Sequence, residues 1–301
     1  MRGKAILWTL LLALALTACG RGVSPEKLLP ELEAPEQYGR EEPRRILPAE
    51  ELAYINREEN SNGFVLAERE ESGTFFLEFT RPEIPDFSLR ISQDLTEAVV
   101  EYQGRVMTLG RVETPNGAFY DWYVSAGYGG AVSGYSMPFL TDLTGDGQPE
   151  LAWLRGGGGT DVYKNICTVY NISGEGEIIP LVEPWEEMAS SITVEPEGYE
   201  DGCVRSLVTD SKGETYTAWF WVSEEDWQDC DYWPGESSHT YLRIDQERGI
   251  LEAEMGFGLE APHVFGQCMG ELQTELSYDA ERGAIVRSGP ITVSVDERPE
   301  A

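Results

Sequence analysis

The chain has 301 residues, with 22 Lys and Arg against 54 Asp and Glu and a net charge of −32. Such a surface excludes nucleic acid and disfavours anionic lipid, because every phosphate approached adds repulsion where Lys and Arg would normally supply attraction. With 41% hydrophobic and 11% aromatic residues the chain can still build a core, so intrinsic disorder is excluded for most of it.

At the N-terminus, Arg2 and Lys4 precede an apolar run from Ala5 to Ala18, 14 residues that end just before Cys19. A spanning helix needs about 20 apolar residues, whereas the apolar region of a secretory signal needs roughly 7 to 15. The junction Leu16-Thr17-Ala18-Cys19 resembles the lipobox of bacterial lipoproteins. The resemblance implies cleavage before Cys19 and lipidation of its thiol; the alternative is an ordinary secretory signal with a Cys at its end. Two acyl chains anchor stably where one is marginal, so the mature chain is expected to be lipid-anchored at the cell membrane, on the extracytoplasmic face. Residues 1–18 carry two basic and no acidic side chains, so their removal leaves 20 basic against 54 acidic, a net of −34. Residues 19–50, with prolines at 25, 30, 35, 43 and 48 and many Glu, read as an extended tether.

Residues 50–60 (EELAYINREEN) predict a short helix. After it come alternating aromatic and β-branched runs cut by turn residues: GFVLAERE, GTFFLEFT, FSLRI, TEAVVEYQ, RVMTLG and AFYDWYVS. This alternation predicts strands. Gly127 to Gly134 (GYGGAVSG) breaks the pattern, either between a β-rich region at 51–135 and a second at 136–301 or as a loop. Later, VRSLVTD and ETYTAWFWV flank the turn Ser211-Lys212-Gly213. Asp245-Gln246-Glu247-Arg248-Gly249 and Asp279-Ala280-Glu281-Arg282-Gly283 read as a matched pair of hairpin turns with left-handed glycines. Pro184 to Ser191 predicts a second short helix with Pro in its first turn. The fold class expected is mainly β, an antiparallel sandwich or open barrel of hairpins with one or two short helices.

One segment carries recognisable ion chemistry: Asp142-Leu143-Thr144-Gly145-Asp146-Gly147-Gln148-Pro149-Glu150, ahead of the strand-like Leu151 to Leu154. Calcium takes about six to eight oxygen ligands. Asp142, Thr144, Asp146, the Gln148 carbonyl and Glu150 alternate along the loop, and Gly147 permits the sharp turn they require. The segment resembles the calcium loops of FG-GAP and VCBS repeats, D-x-[DN]-G-D-G-x-x-[DE]. That resemblance implies one calcium ion on these five residues, with Thr144 as a weaker neutral donor and an affinity of roughly 10⁻⁴ to 10⁻³ M. The alternative is a metal-free Asx turn. A full propeller, with one such loop in each blade, is not expected from a single copy. A wider resemblance, from about Phe139 to Val295, is to uncharacterised surface proteins and sensor C-terminal domains of Gram-positive bacteria. They share DLTGDGxxE, a strand, a Gly/Thr-rich loop, a long strand, "IP" and a short acidic helix. It implies a β-rich module without an established activity; Gly159-Thr160-Asp161 here departs from the usual Gly-Thr-Gly.

Catalysis is poorly supported. His239 and His263 lie in no nucleophile motif, Gly134 to Pro138 is not a nucleophile elbow, and Gly156 to Gly159 lacks the Lys-Ser or Lys-Thr of a phosphate loop. His239, beside Ser237 and Ser238, reads as an exposed loop residue. Cys167, Cys203, Cys230 and Cys268 are too far apart for a CxxC site and allow either two disulfides or free thiols. Trp219 and Trp221 share one face of a strand; they read either as core or as a stacking platform for sugar rings. The acidic stretch Glu224 to Asp231 reads as a solvated loop, with a second cation as its alternative. Two function classes follow: a calcium-stabilised, membrane-tethered binding or scaffold module with a cell-surface protein or glycan as its partner, and a carbohydrate-binding or glycan-processing lipoprotein.

Overall fold

The runs read as strands pair mostly with their chain neighbours. In this computed structural model the described residues are 47, 49–57, 61–111, 122, 138–157, 163–235, 239–262, 264–296 and 298. The leader with Cys19, nearly all of the tether, the Gly127–Gly134 break, the strand expected at 118–125 apart from Trp122, the Gly159-Thr160-Asp161 loop and His263 lie outside them.

Helix α1 (Ala49–Ile55) is shorter than the sequence predicts. Asn56 ends it by pairing with the backbone of Leu66 in both directions: its Nδ2 donates to the Leu66 carbonyl at 2.7 Å and its Oδ1 accepts from the Leu66 amide at 2.7 Å. An Asn side chain offers both a donor and an acceptor, so it can close a strand edge where backbone would otherwise be unpaired. Strands β1 (Val65–Glu71), β2 (Thr74–Arg81), β3 (Ile84–Ser92), β4 (Ala98–Tyr102) and β5 (Arg105–Thr108) then form a five-stranded antiparallel meander. Period-two patterning sets its faces: Leu77, Phe79, Leu89, Ile91, Ala98 and Val100 are fully buried, with Glu78, Arg90 and Val99 between them.

A larger sheet runs in the order β17-β16-β15-β14-β8-β7-β6 and curls into half a barrel. Its members are β6 (Pro138–Thr141), β7 (Glu150–Gly157), β8 (Tyr163–Asn171), β14 (His239–Asp245), β15 (Ile250–Ala261), β16 (Val264–Asp279) and β17 (Ala284–Arg287). Three short strands pair along it: β9 (Glu177–Ile179), β13 (Asp231–Pro234) and β18 (Thr292–Val295). Within this sheet β8 and β14 meet in parallel. Asn165 fastens the join, its amide bonding the Leu242 carbonyl at 2.8 Å and the Leu242 amide at 2.6 Å. Helix α2 (Trp185–Ala189) has Pro184 as its N-cap. A third, three-stranded sheet holds β10 (Ile192–Glu200), β11 (Cys203–Asp210) and β12 (Thr215–Trp221). The fold is mainly β, with antiparallel sheets and few short helices.

The run Leu151-Ala152-Trp153-Leu154 shows how the cores are arranged. Leu151 and Trp153 join one cluster with Phe79, Trp122 and Tyr170, while Ala152 and Leu154 join another with Phe220, Phe257, Leu272 and Met188. Strand β7 is therefore covered on both faces, as its unbroken apolar run requires. Trp153 meets Phe79 edge-on at 6.0 Å and Trp122 at 5.0 Å, so side chains from residues 51–135 and 136–301 share one core. Residues 45–301 form one compact unit.

Candidate functional site

The loop 142–150 joins β6 to β7, so both of its ends are pinned in one sheet ladder, with Thr141 opposite Glu150. Gly145 and Gly147 take positive φ of 75° and 84°, the left-handed turns that an L side chain resists. These turns aim backbone amides back at the loop's own acids. Asp142 Oδ1 accepts from the Gly145 amide at 2.6 Å, and its Oδ2 accepts from the Gly147 amide at 2.9 Å. Asp146 Oδ1 accepts from the Gln148 amide at 2.7 Å.

Glu150 plays a different part. Its carboxylate is 1% exposed and accepts from the Leu143 amide at 2.7 Å, the Thr144 amide at 3.2 Å and the Thr144 hydroxyl at 3.1 Å. Burial pushes its carboxyl above the ordinary carboxylate range; these three hydrogen bonds oppose the rise, and the charge of Asp146 adds to it. Glu150 thus fastens the loop's base from inside. Gln148 reaches outward, its Oε1 accepting from Gln103 Nε2 at 3.2 Å.

The five residues predicted as ligands therefore divide. Asp142 and Asp146 stand at the rim, half-buried and exposed. Thr144 and Glu150 satisfy each other, and among the described residues no group of three or more His, Cys, Asp or Glu side chains has the arrangement of a metal site. As it stands the donor set fits a hydrogen-bonded turn; as a calcium site it fits only in part, through Asp142, Asp146 and the backbone.

Local sequence did not mark the neighbours that press on this loop. The Asp245–Gly249 turn lies against it: a Cβ on Gly249 would sit 2.3 Å from the Asp142 carbonyl oxygen, and the Thr141 hydroxyl donates to the Gln246 carbonyl at 3.2 Å. A cleft of about 470 Å³ opens between this turn and the loop, bounded by Thr141, Asp142, Arg248 and Tyr278. A second of about 540 Å³ adjoins it, sharing Thr144, Gly145 and Tyr278, with Asp146, Glu150, Asn171 and Glu177 in its wall.

The tryptophans are placed by strand parity. Ala218, Phe220 and Val222 are buried in the core, while Trp219 is half-buried and Trp221 is 42% exposed on the opposite face of β12. The core reading of these two side chains is thus replaced by Phe220, which the sequence placed between them. The polar outward positions Thr215 and Thr217 carried the signal, because Trp219 and Trp221 continue their parity. Trp227 stacks on Tyr199 with ring centroids 6.5 Å apart, and Trp233 meets His239 edge-on at 4.8 Å. His239 is half-buried at the start of β14, not in an exposed loop. The four cysteines after Cys19 are free thiols. Among the described residues no helix is long and apolar enough to cross a membrane. Comparison of the chain with models of known protein families, with curated proteins and with solved structures finds no match.

Proposed function

We propose that this chain is a bacterial lipoprotein held at the extracytoplasmic face of the cell membrane through Cys19, and that its folded part is a binding or scaffold module stabilised by calcium at the loop 142–150. The observation that carries the calcium reading is the loop's division of labour: Glu150 anchors the base internally while Asp142 and Asp146 stand at the rim, each in the wall of one of two adjoining clefts. Each carboxylate oxygen retains a lone pair beyond the hydrogen bond it accepts. Asp142 and Asp146 would hold the ion, with the Gln148 carbonyl and the Thr144 hydroxyl as neutral donors. Two carboxylates and neutral oxygens make a weak site, of the kind suited to millimolar extracellular calcium.

Thermal unfolding in EDTA and in calcium tests this reading. At 100 times its dissociation constant, calcium adds about 2.7 kcal/mol to stability, a rise of roughly 5 to 10 °C for a unit of this size. The rise should vanish in Asp146→Ala; an unchanged Tm in the wild type would reduce the loop to a turn. For the anchor, Cys19→Ser should move the protein from the membrane fraction to the soluble one.

A second reading is a glycan-binding face at Trp219 and Trp221. The placement of both side chains on the outward face of β12, with Trp221 exposed and Trp219 half-buried, favours it, since aromatic rings along one strand face are what sugar rings stack on.

A further inference from the structure

The outer face of β10–β11–β12 has a composition of its own. Trp219 and Trp221 alternate along β12, so their Cα atoms are spaced by about 6.6 to 6.8 Å. Directly opposite them on β11 are Arg205 and Cys203, and the same face continues to Glu200 on β10. The Trp221 ring lies against Gly202 of the β10–β11 turn, where an added Cβ would meet it at 3.0 Å; Gly202 has φ +82°. Trp221 is 42% exposed, and among the described residues it has no aromatic or cationic ring contact.

Trp219 already carries a cation. The guanidinium carbon of Arg298, which follows β18, lies 4.4 Å from the centre of the Trp219 ring. That guanidinium also pairs with Asp201 at 3.0 Å and Glu200 at 3.7 Å. Arg205, the other cation on this face, is held by Glu197 at 3.4 Å. The local acids Glu197, Glu200 and Asp201 thus outnumber the cations, and one aromatic face with two acids at its edge is filled by a guanidinium from the chain itself. An aromatic face attracts a cation through its quadrupole, and acids beside it add Coulomb attraction.

We propose that this face is a docking site for an arginine-bearing segment of a partner protein, with Trp221 as the open half of the platform and Arg298 as a built-in occupant of the other half. Arg298 shows what the site takes: a planar guanidinium lying on an indole with its N–H groups turned to carboxylates. A partner guanidinium engages Trp221 first and competes with Arg298 for Trp219, Glu200 and Asp201. Arg298 therefore lowers the affinity of the site for the partner. This proposal is independent of the calcium loop and differs from the glycan reading in the chemistry of the ligand.

The test is a titration of the full chain with an acetylated, amidated hexa-arginine peptide, read by tryptophan fluorescence, for the wild type, Trp221→Ala and Arg298→Ala. A chain of this charge attracts any polycation, so the evidence lies in the differences among the three proteins. Trp221→Ala should bind the peptide about 2- to 5-fold more weakly and Arg298→Ala about 2- to 5-fold more tightly, the range of an exposed cation–π contact. Trp221 is exposed and Arg298 is a surface residue, so far-UV circular dichroism should be unchanged in both. Equal affinity in all three proteins, or no binding at all, overturns the proposal. A response to cellohexaose that Trp221→Ala abolishes, without a response to the peptide, also overturns it and gives the face to glycans.

Discussion

The loop's dependence on its neighbour can be measured by substituting one glycine in each of two near-identical turns. In the Asp245 and Asp279 turns the Asp Oδ1 accepts from two following amides, at 3.1 and 3.0 Å in the first and 2.9 and 3.2 Å in the second. Both end on a glycine at φ +62°. Alanine at either position meets the same left-handed penalty of about 1 to 2 kcal/mol. Their surroundings differ: the new Cβ at 249 would lie 2.3 Å from the Asp142 carbonyl oxygen, whereas at 283 the nearest atom is the Tyr278 hydroxyl at 4.0 Å. A contact that short cannot persist, and forcing backbone apart in a packed site costs about 1 to 3 kcal/mol more. Gly249→Ala should therefore lie below Gly283→Ala by about 2 kcal/mol, or about 4 to 8 °C in Tm. Circular dichroism melts of the two variants and the wild type decide it. Because the displaced backbone belongs to Asp142, Gly249→Ala should also blunt the calcium response, while Gly283→Ala keeps it. Equal losses of Tm would show that the turn at 249 does not bear on the loop, and the division of labour argued for Glu150 and Asp142 would lose its support.

Other consequences follow from buried groups. Burial first, then the nearby charges of Glu271 and Glu252, push the Glu254 carboxyl up, with Arg243 opposing them. A raised carboxyl favours folding below its unfolded pKa and loses that contribution as pH rises through the folded value. Glu254→Gln should accordingly gain stability relative to the wild type between pH 4 and pH 8, as read by urea melts; a relative loss over that window would contradict the assignment. Glu150→Gln removes the same penalty but leaves a neutral amide where three donors converge, so it should destabilise at pH 7 by about 1 to 3 kcal/mol, and an unchanged Tm would deny Glu150 its fastening role. Trp153→Ala, deleting a fully buried ring between Phe79 and Trp122, should cost about 3 to 5 kcal/mol in denaturant unfolding, with a small loss showing that the two regions do not share a core. Burial pushes the Cys167 thiol up to about 12, so a thiol reagent at pH 8 should leave it unlabelled until the chain unfolds, and prompt labelling would show the core to be open.

Much of this was legible locally. The Asp-x-x-x-Gly spacing announced both hairpin turns, and the Leu151 to Leu154 run announced a strand; that both of its faces are covered came from the structure. What local pattern could not show was pairing between distant segments. The parallel join of β8 with β14 rests on Asn165, 77 residues from Leu242, and one Asn in a strand resembles any other. Glu150 could be read in sequence either as an ion ligand or as a backbone acceptor, because both are the same carboxylate; the hydrogen bonds it accepts from Leu143 and Thr144 follow only from the fold. At Trp219-Phe220-Trp221 three consecutive aromatics concealed the alternation that Thr215 and Thr217 still carried. Arg298 lies 97 residues from Asp201, and its place over Trp219 follows only from the fold.

The most direct test of the account is a calorimetric titration of calcium into the metal-free chain, beside a double variant Asp142→Asn, Asp146→Asn. The account predicts one site with a dissociation constant of roughly 10⁻⁴ to 10⁻³ M, lost in the double variant. No heat beyond dilution at 10 mM calcium, or the same isotherm in both proteins, would contradict it.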